Sequence, residues 1–118
     1  MTTTAGAPPV RLLVVDDDDA TRTLLSVVFS RRKDVVVECV GDGDAAISQI
    51  RRNAYDAIIL DLMLPGRNGF DVIRELKSRA PFLLSRTIVV TAMAESTLRS
   101  FDDAHLLRRL MRKPFDLE

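Results

Sequence analysis

Four short apolar runs recur along the chain with room for one helix between each pair: Leu12-Leu13-Val14-Val15, Val35-Val36-Val37, Ala57-Ile58-Ile59-Leu60 and Thr87-Ile88-Val89-Val90. They are continuous and rich in β-branched residues instead of alternating with polar ones, which is the pattern of strands covered on both faces. Such strands belong to a parallel sheet, and parallel neighbours need a crossover long enough to carry a helix. The intervening segments have that character. Thr21, Leu24, Leu25 and Val28 fall at i, i+3, i+4 and i+7, Phe70, Ile73 and Leu76 at i, i+3 and i+6, and Ala46, Ile47 and Ile50 repeat the spacing on a smaller scale. Asp19 is placed to cap the first helix, Gly43-Asp44 opens the second, and Asn68 precedes the third. Repeated βα units with right-handed crossovers predict an open, doubly wound α/β sheet whose functional crevice lies beyond the carboxyl ends of the strands.

The last third carries weaker signals. A fourth helix is expected from about Glu95 to Ala104 on a thin stripe, chiefly Leu98 and Phe101, and Leu110-Met111 is the expected centre of a fifth strand, although no Gly marks the turn before it. Phe115 to Glu118 reads as the beginning of a fifth helix. Residues 1–9 read as a flexible tail and 10–118 as one domain, in keeping with a length of 118 residues. The 17 Lys+Arg balance 17 Asp+Glu, and this zero net charge argues against direct nucleic-acid binding or residence on an anionic membrane. The N-terminus lacks a secretory signal, and no apolar run approaches the roughly 20 residues needed to span a bilayer, so a cytoplasmic protein is expected. Cys39, the single cysteine, reads as a buried strand thiol without a redox role, and His105 as a surface or helix-end histidine.

Polar residues follow the apolar runs in a telling order. Asp16 and Asp17 follow the first, Asp61 the third, Thr91 the fourth and Lys113 the presumed fifth, and in a parallel sheet all these ends share one edge. Three converging carboxylates repel one another unless a cation lies between them, and an all-oxygen set without His or Cys favours Mg²⁺. Mg²⁺ commonly completes its shell with phosphate oxygens. The chemistry this favours is phosphoryl transfer, with one carboxylate attacking phosphorus while the metal, a lysine and a hydroxyl stabilise the equatorial oxygens. Singly, each residue has a plainer explanation, an aspartate as a helix cap or a lysine as surface charge. Within the run Asp16 to Asp19, Asp18 reads as solvated and Asp19 as the cap.

Four motifs in order give these residues a family. Val14-Val15-Asp16-Asp17-Asp18, Leu60-Asp61-Leu62-Met63-Leu64-Pro65-Gly66 with Gly69, Val90-Thr91-Ala92, and Lys113-Pro114-Phe115 together resemble, at matching intervals, the receiver domain of two-component response regulators. The resemblance implies a CheY-like (flavodoxin-like) sheet of five parallel strands in the order 2-1-3-4-5. It implies Asp61 as phosphoacceptor, Asp17 and Asp61 as direct Mg²⁺ ligands with the backbone carbonyl of Met63, Asp16 as a ligand through water, and Lys113 as partner of the acyl phosphate. Thr91 would hydrogen-bond a phosphoryl oxygen and couple phosphorylation to the following loop, and the small Ala92 would leave the group room. Implied partners are a sensor histidine kinase or histidine phosphotransfer protein and a downstream protein target or missing output domain. The face of the fourth helix and fifth strand, with Arg108, Arg109 and Arg112, is where such domains meet targets or form a homodimer. Met63 and Met93 take positions that flank the path of water to the acyl phosphate in the family, and thioethers cannot orient or deprotonate water, so a long-lived phosphoryl group is expected.

Two departures stand beside the resemblance. Leu110 takes a position where the family usually carries an aromatic, commonly Tyr, whose rotation accompanies the threonine's movement. The fifth helix is cut after its first residues, which reads as truncation, with a covering second chain as the other reading; the terminal Leu-Glu could be native or a cloning scar. A degenerate receiver acting as a constitutive interaction module is one rival, opposed by the intact Asp17, Asp61, Thr91 and Lys113. A phosphohydrolase using an aspartyl-phosphate is another, opposed by Met63 where a second acid would be needed.

Overall fold

A computed structural model of the chain describes residues 8–113. The tail residues 1–7 and the expected start of a fifth helix, within 114–118, lie outside the described residues. The elements are β1 (Val10–Val15), α1 (Asp19–Ser30), β2 (Val35–Val40), α2 (Gly43–Arg52), β3 (Ala57–Leu60), α3 (Gly69–Arg79), β4 (Thr87–Thr91), α4 (Glu95–Leu98) and β5 (Arg109–Arg112). Two 3₁₀ segments, Pro81–Arg86 and Asp102–Leu106, precede β4 and β5. All strand pairings are parallel, and the order is β2-β1-β3-β4-β5. The expected doubly wound sheet and its strand order are therefore what the chain adopts.

The central strands bury both faces, as their unbroken apolar runs require. Leu13, Val15, Ile58, Leu60 and Val89 pack on one side with Ala46, Ile47 and Ile50 of α2, Val72, Ile73 and Leu76 of α3, and Leu98 of α4. Leu12 and Val14 pack on the other side with Leu25 of α1. The third helix starts where Asn68 and Asp71 form a reciprocal capping box. Its first residue is glycine for a steric reason: a Cβ there would stand 2.5 Å from Leu62 Cα and 2.7 Å from the Asp61 carbonyl oxygen. No helix among the described residues is long and apolar enough to cross a membrane.

Several expectations are corrected. The first helix is capped by Asp18, whose backbone is extended (φ −86°, ψ 115°) and whose carboxylate accepts from the Ala20 N–H, while Asp19 is its first helical residue. The α1 stripe is only partly a core stripe, because Leu25 is buried but Leu24 and Val28 are 46% and 39% exposed. Cys39 is exposed rather than buried, because β2 is an edge strand and lacks a neighbour on one flank. The expected helix from Glu95 to Ala104 stops at Leu98: Phe101 turns extended (φ −85°, ψ 98°) to meet Phe70 edge-on, with ring centroids 5.1 Å apart. No glycine is needed before β5, because Leu107 is itself extended (φ −82°, ψ 154°) and Arg108 N–H bonds directly to the Thr87 carbonyl at 2.9 Å.

At the edge of the sheet opposite the strands' carboxyl ends, Tyr55 is buried and donates its hydroxyl to Glu38 at 2.5 Å, while Arg11 pairs with Glu38 at 2.7 Å and lies over the Tyr55 ring. The Tyr55 hydroxyl, and then Arg11, hold the Glu38 carboxyl below its ordinary range. Burial, and then the bond to Glu38, push the Tyr55 phenol up to about 12. A phenol whose folded pKa is raised favours the fold below the unfolded value near 10, and that contribution is lost as pH rises through the folded value. Because Tyr55 is the only tyrosine, the phenolate absorbance near 295 nm should titrate with a midpoint near 12 in the folded protein and near 10 in urea. About 3 kcal/mol of stability should disappear across that window, and Tyr55→Phe should abolish this component of the alkaline loss.

Candidate functional site

The parallel sheet brings the carboxyl ends of β1, β3, β4 and β5 to one edge, and the polar residues that follow them meet there. Asp16 follows β1 and Asp61 follows β3, and both are nearly buried, at 4% and 5% exposure. Asp17 is exposed. One carboxylate oxygen from each of Asp16, Asp17 and Asp61 lies within 4.8 Å of the others. β5 extends its pairing by one more bond, Lys113 N–H to the Thr91 carbonyl at 2.8 Å, and this register turns the lysine toward the acids. Its Nζ donates to Asp16 Oδ2 at 2.7 Å and to Asp61 Oδ2 at 3.0 Å.

Each acid is held differently. Asp16 Oδ1 accepts from the Asp18 N–H at 2.9 Å, and Asp61 Oδ1 from the Met63 N–H at 2.9 Å. Lys113 takes the remaining oxygen of both. The Asp17 carboxylate accepts no protein hydrogen bond among the described residues. Desolvation on its own would lower the Lys113 pKa, but the hydrogen bonds and charges of Asp16 and Asp61 together outweigh it and hold the ammonium above the ordinary lysine range. Thr91, fully buried, accepts from the Met93 N–H at 3.2 Å through its hydroxyl oxygen. The hydroxyl proton has no acceptor among the described residues.

The other residues singled out in the sequence lie around this edge or behind it. Met63 is 52% exposed and Ala92 is exposed, while Met93 and Leu110 are half-buried and pack against the main core. Leu110 is level with Val89 across the β4–β5 pairing. His105 is exposed, its Nδ1 2.9 Å from the Asp102 carbonyl oxygen, as a surface histidine should be. Arg108, Arg109 and Arg112 are exposed and make no ion pair among the described residues. One residue was not legible beforehand. Arg22 donates Nη1 to the Asp16 carbonyl at 2.7 Å, and the signal that could have found it is a basic residue about one turn into the helix that follows an acidic run.

The donor set fits a hard divalent cation: three carboxylates converge, the His and Cys of the chain are elsewhere, and a single ammonium offsets only part of the negative charge. Comparison with known proteins places the arrangement. The family model described as the response regulator receiver domain matches residues 12–118. The chain is a response regulator receiver domain. It is 40% identical over 50 residues to the sensory transduction protein RegX3 of Mycolicibacterium smegmatis, covering 42% of this chain and 22% of that protein. It is also 40% identical over 78 residues to a protein-glutamate methylesterase/protein-glutamine glutaminase of Azospirillum brasilense, covering 65% of this chain and 20% of that protein. The receiver thus spans under a third of the length of these curated relatives. Among solved structures, the response regulator TrrA of Thermotoga maritima in complex with Mg²⁺-BeF is 27% identical with a TM-score of 0.78, over 92% of this chain and 90% of that one.

Replacing Lys113 removes the cation between two buried carboxylates, so Lys113→Met should lower stability at pH 7 by about 3–5 kcal/mol in urea unfolding without added metal. The raised lysine pKa fixes the sign of the pH dependence. The difference between wild type and variant should be fully present below the unfolded lysine value near 10.4 and should close as pH rises through the higher folded value. A difference that persists undiminished at pH 12 would contradict the ion-pair account.

Proposed function

We propose that this receiver accepts a phosphoryl group on Asp61 from a sensor histidine kinase or a histidine phosphotransfer protein, with Mg²⁺, and acts as a signalling switch in the cytoplasm, not as an enzyme of metabolism. The observation that carries this reading is the convergence of Asp16, Asp17 and Asp61 on one edge with Lys113 bridging two of them. Support also comes from the relative solved with Mg²⁺-BeF. In the proposed step a carboxylate oxygen of Asp61 attacks phosphorus, the new P–O bond forms as the P–N bond to the donor imidazole breaks, and the imidazole nitrogen leaves with the electron pair. Asp17, with its carboxylate uncommitted, and Asp61 would hold the cation together with the Met63 backbone carbonyl, while Asp16, already bound to Lys113, would reach it through water. Bound there, Mg²⁺ supplies charge stabilisation to the phosphoryl oxygens.

The chain's own groups do the rest. Lys113, already beside Asp61, would follow the negative charge onto the acyl phosphate. Thr91 would turn its hydroxyl proton to a phosphoryl oxygen, drawing the segment from Ala92 onward with it. Ala92 offers no side chain beyond Cβ to obstruct the group. The signal would pass to a downstream protein or to an output domain elsewhere in a longer chain, with the Arg108, Arg109 and Arg112 face as the candidate contact for it or for a second copy.

Incubation with acetyl phosphate followed by intact-mass spectrometry tests the reading. A single added phosphoryl group should appear in the presence of Mg²⁺ and should be absent with chelator and in Asp61→Ala. A folded wild type that takes up no phosphate would favour a constitutive interaction module, and turnover of a phosphate ester would favour a hydrolase. The two methionines give a separate expectation. Met63 and Met93 take the positions that the family places along the path of water, and a thioether cannot activate water, so Met63→Asn with Met93→Glu should shorten the lifetime of the phosphorylated form by about tenfold or more.

A further inference from the structure

Arg22 is outside the acidic cluster yet is tied to it. Its Nη1 donates to the Asp16 carbonyl at 2.7 Å, its Nη2 pairs with Asp19, and its side chain is 24% exposed. The guanidinium lies under Gly41 at the end of β2, where a Cβ would stand 3.0 Å from Nη1 and 3.6 Å from Cζ. A side chain at Gly41 would press the guanidinium by a few tenths of an ångström.

The contact completes the fixing of one residue. Asp16 N–H donates to the Val40 carbonyl at 3.1 Å, Oδ1 accepts from Asp18, Oδ2 from Lys113, and the carbonyl oxygen from Arg22. Every polar atom of Asp16 is held, from β2, its own loop, β5 and α1 in turn. The carbonyl gripped by Arg22 belongs to the peptide that joins Asp16 to Asp17, and a peptide is planar, so gripping one end orients the other. Asp17, whose carboxylate has no protein partner among the described residues, is carried on that peptide.

We infer that Arg22 is a positioning residue: by locking the Asp16–Asp17 peptide it holds the Asp17 carboxylate toward a divalent cation shared with Asp61, an inference that rests on the metal-dependent reading above. Two simpler roles make opposite or null forecasts. An Arg22–Asp19 pair one turn apart on a helix surface would affect stability slightly and leave cation affinity alone. A guanidinium acting only through its charge would oppose the cation, so its removal would tighten binding.

Isothermal titration of Mg²⁺ into wild type, Arg22→Met, Arg22→Lys and Gly41→Ala separates these, with circular dichroism and thermal midpoints recorded alongside. Loss of a group that orients a metal ligand typically weakens binding by about 10–100-fold, and Arg22→Met should fall in that range while keeping the native spectrum. Arg22→Lys, which keeps the charge and can make one bond to the carbonyl, should recover part of the affinity. Gly41→Ala, whose Cβ would press on Nη1 by a few tenths of an ångström without changing any charge, should weaken binding in the same direction by less, and Arg22→Lys decides the matter should Arg22→Met not fold. Affinity within about twofold of wild type, or tighter, in folded Arg22→Met, or in Arg22→Lys should Arg22→Met not fold, overturns the role of Arg22 alone. A wild type that takes up no Mg²⁺ overturns the metal-dependent reading, and the role of Arg22 with it.

Discussion

Two nearly buried carboxylates, Asp16 and Asp61, share one ammonium, and the arrangement of the chain serves that contact. Without Lys113 the two would repel each other in a setting where little water screens them. The lysine follows β5 at the sheet edge, while the acids follow β1 and β3 nearer its centre, so the bridge reaches across the end of β4. A parallel sheet with all carboxyl ends on one side brings residues far apart in sequence to one point. The pairing of Lys113 N–H with the Thr91 carbonyl adds a register constraint: the backbone bond that ends β5 also aims its side chain.

The same contact shows how a switch can be poised at modest cost. Lys113 neutralises one of three charges, so the edge retains a deficit of positive charge that a divalent cation fits. Asp16 is fully committed to protein partners and the Asp17 carboxylate to none among the described residues, which divides the cluster into a fixed floor and an open carboxylate. Thr91 is held by its oxygen through the Met93 N–H, and its hydroxyl proton has no acceptor among the described residues. The site is thus rigid where geometry has to be set in advance and uncommitted where new partners are to bind.

How much of this was legible in the sequence depended on whether local chemistry or tertiary packing decided the outcome. Runs such as Leu12 to Val15 and Ala57 to Leu60 declare themselves because burial on both faces leaves no other solution. The converging residues could be placed for the same reason, since strand ends in a parallel sheet share an edge. Asp18 and Asp19 could not be told apart, because either could cap a helix and the choice turns on one residue's ψ. Cys39 was misplaced because a β-branched run reads alike at the centre and the edge of a sheet, and only strand order reveals which it is. Arg22 was harder to read because its partner at the site is a backbone carbonyl, and a basic residue one turn into a helix after an acidic run is only an indirect sign of that bond.

The region before β5 shows the same limit from the other side. A helix of four residues has no stability of its own, since nucleation is not repaid over so short a length. α4 exists because Leu98 is buried and because Phe101 leaves the helical path to meet Phe70. Phe70 in turn follows Gly69, whose N–H bonds to the Leu62 carbonyl at 2.9 Å, one residue after Asp61. The segment after the fourth strand is therefore held by packing against the helix that begins beside the acid, and hardly by helical propensity. Leu110 belongs to that packed set, level with Val89 across the β4–β5 pairing, and it joins the core through apolar contact because its side chain has no hydroxyl to bond.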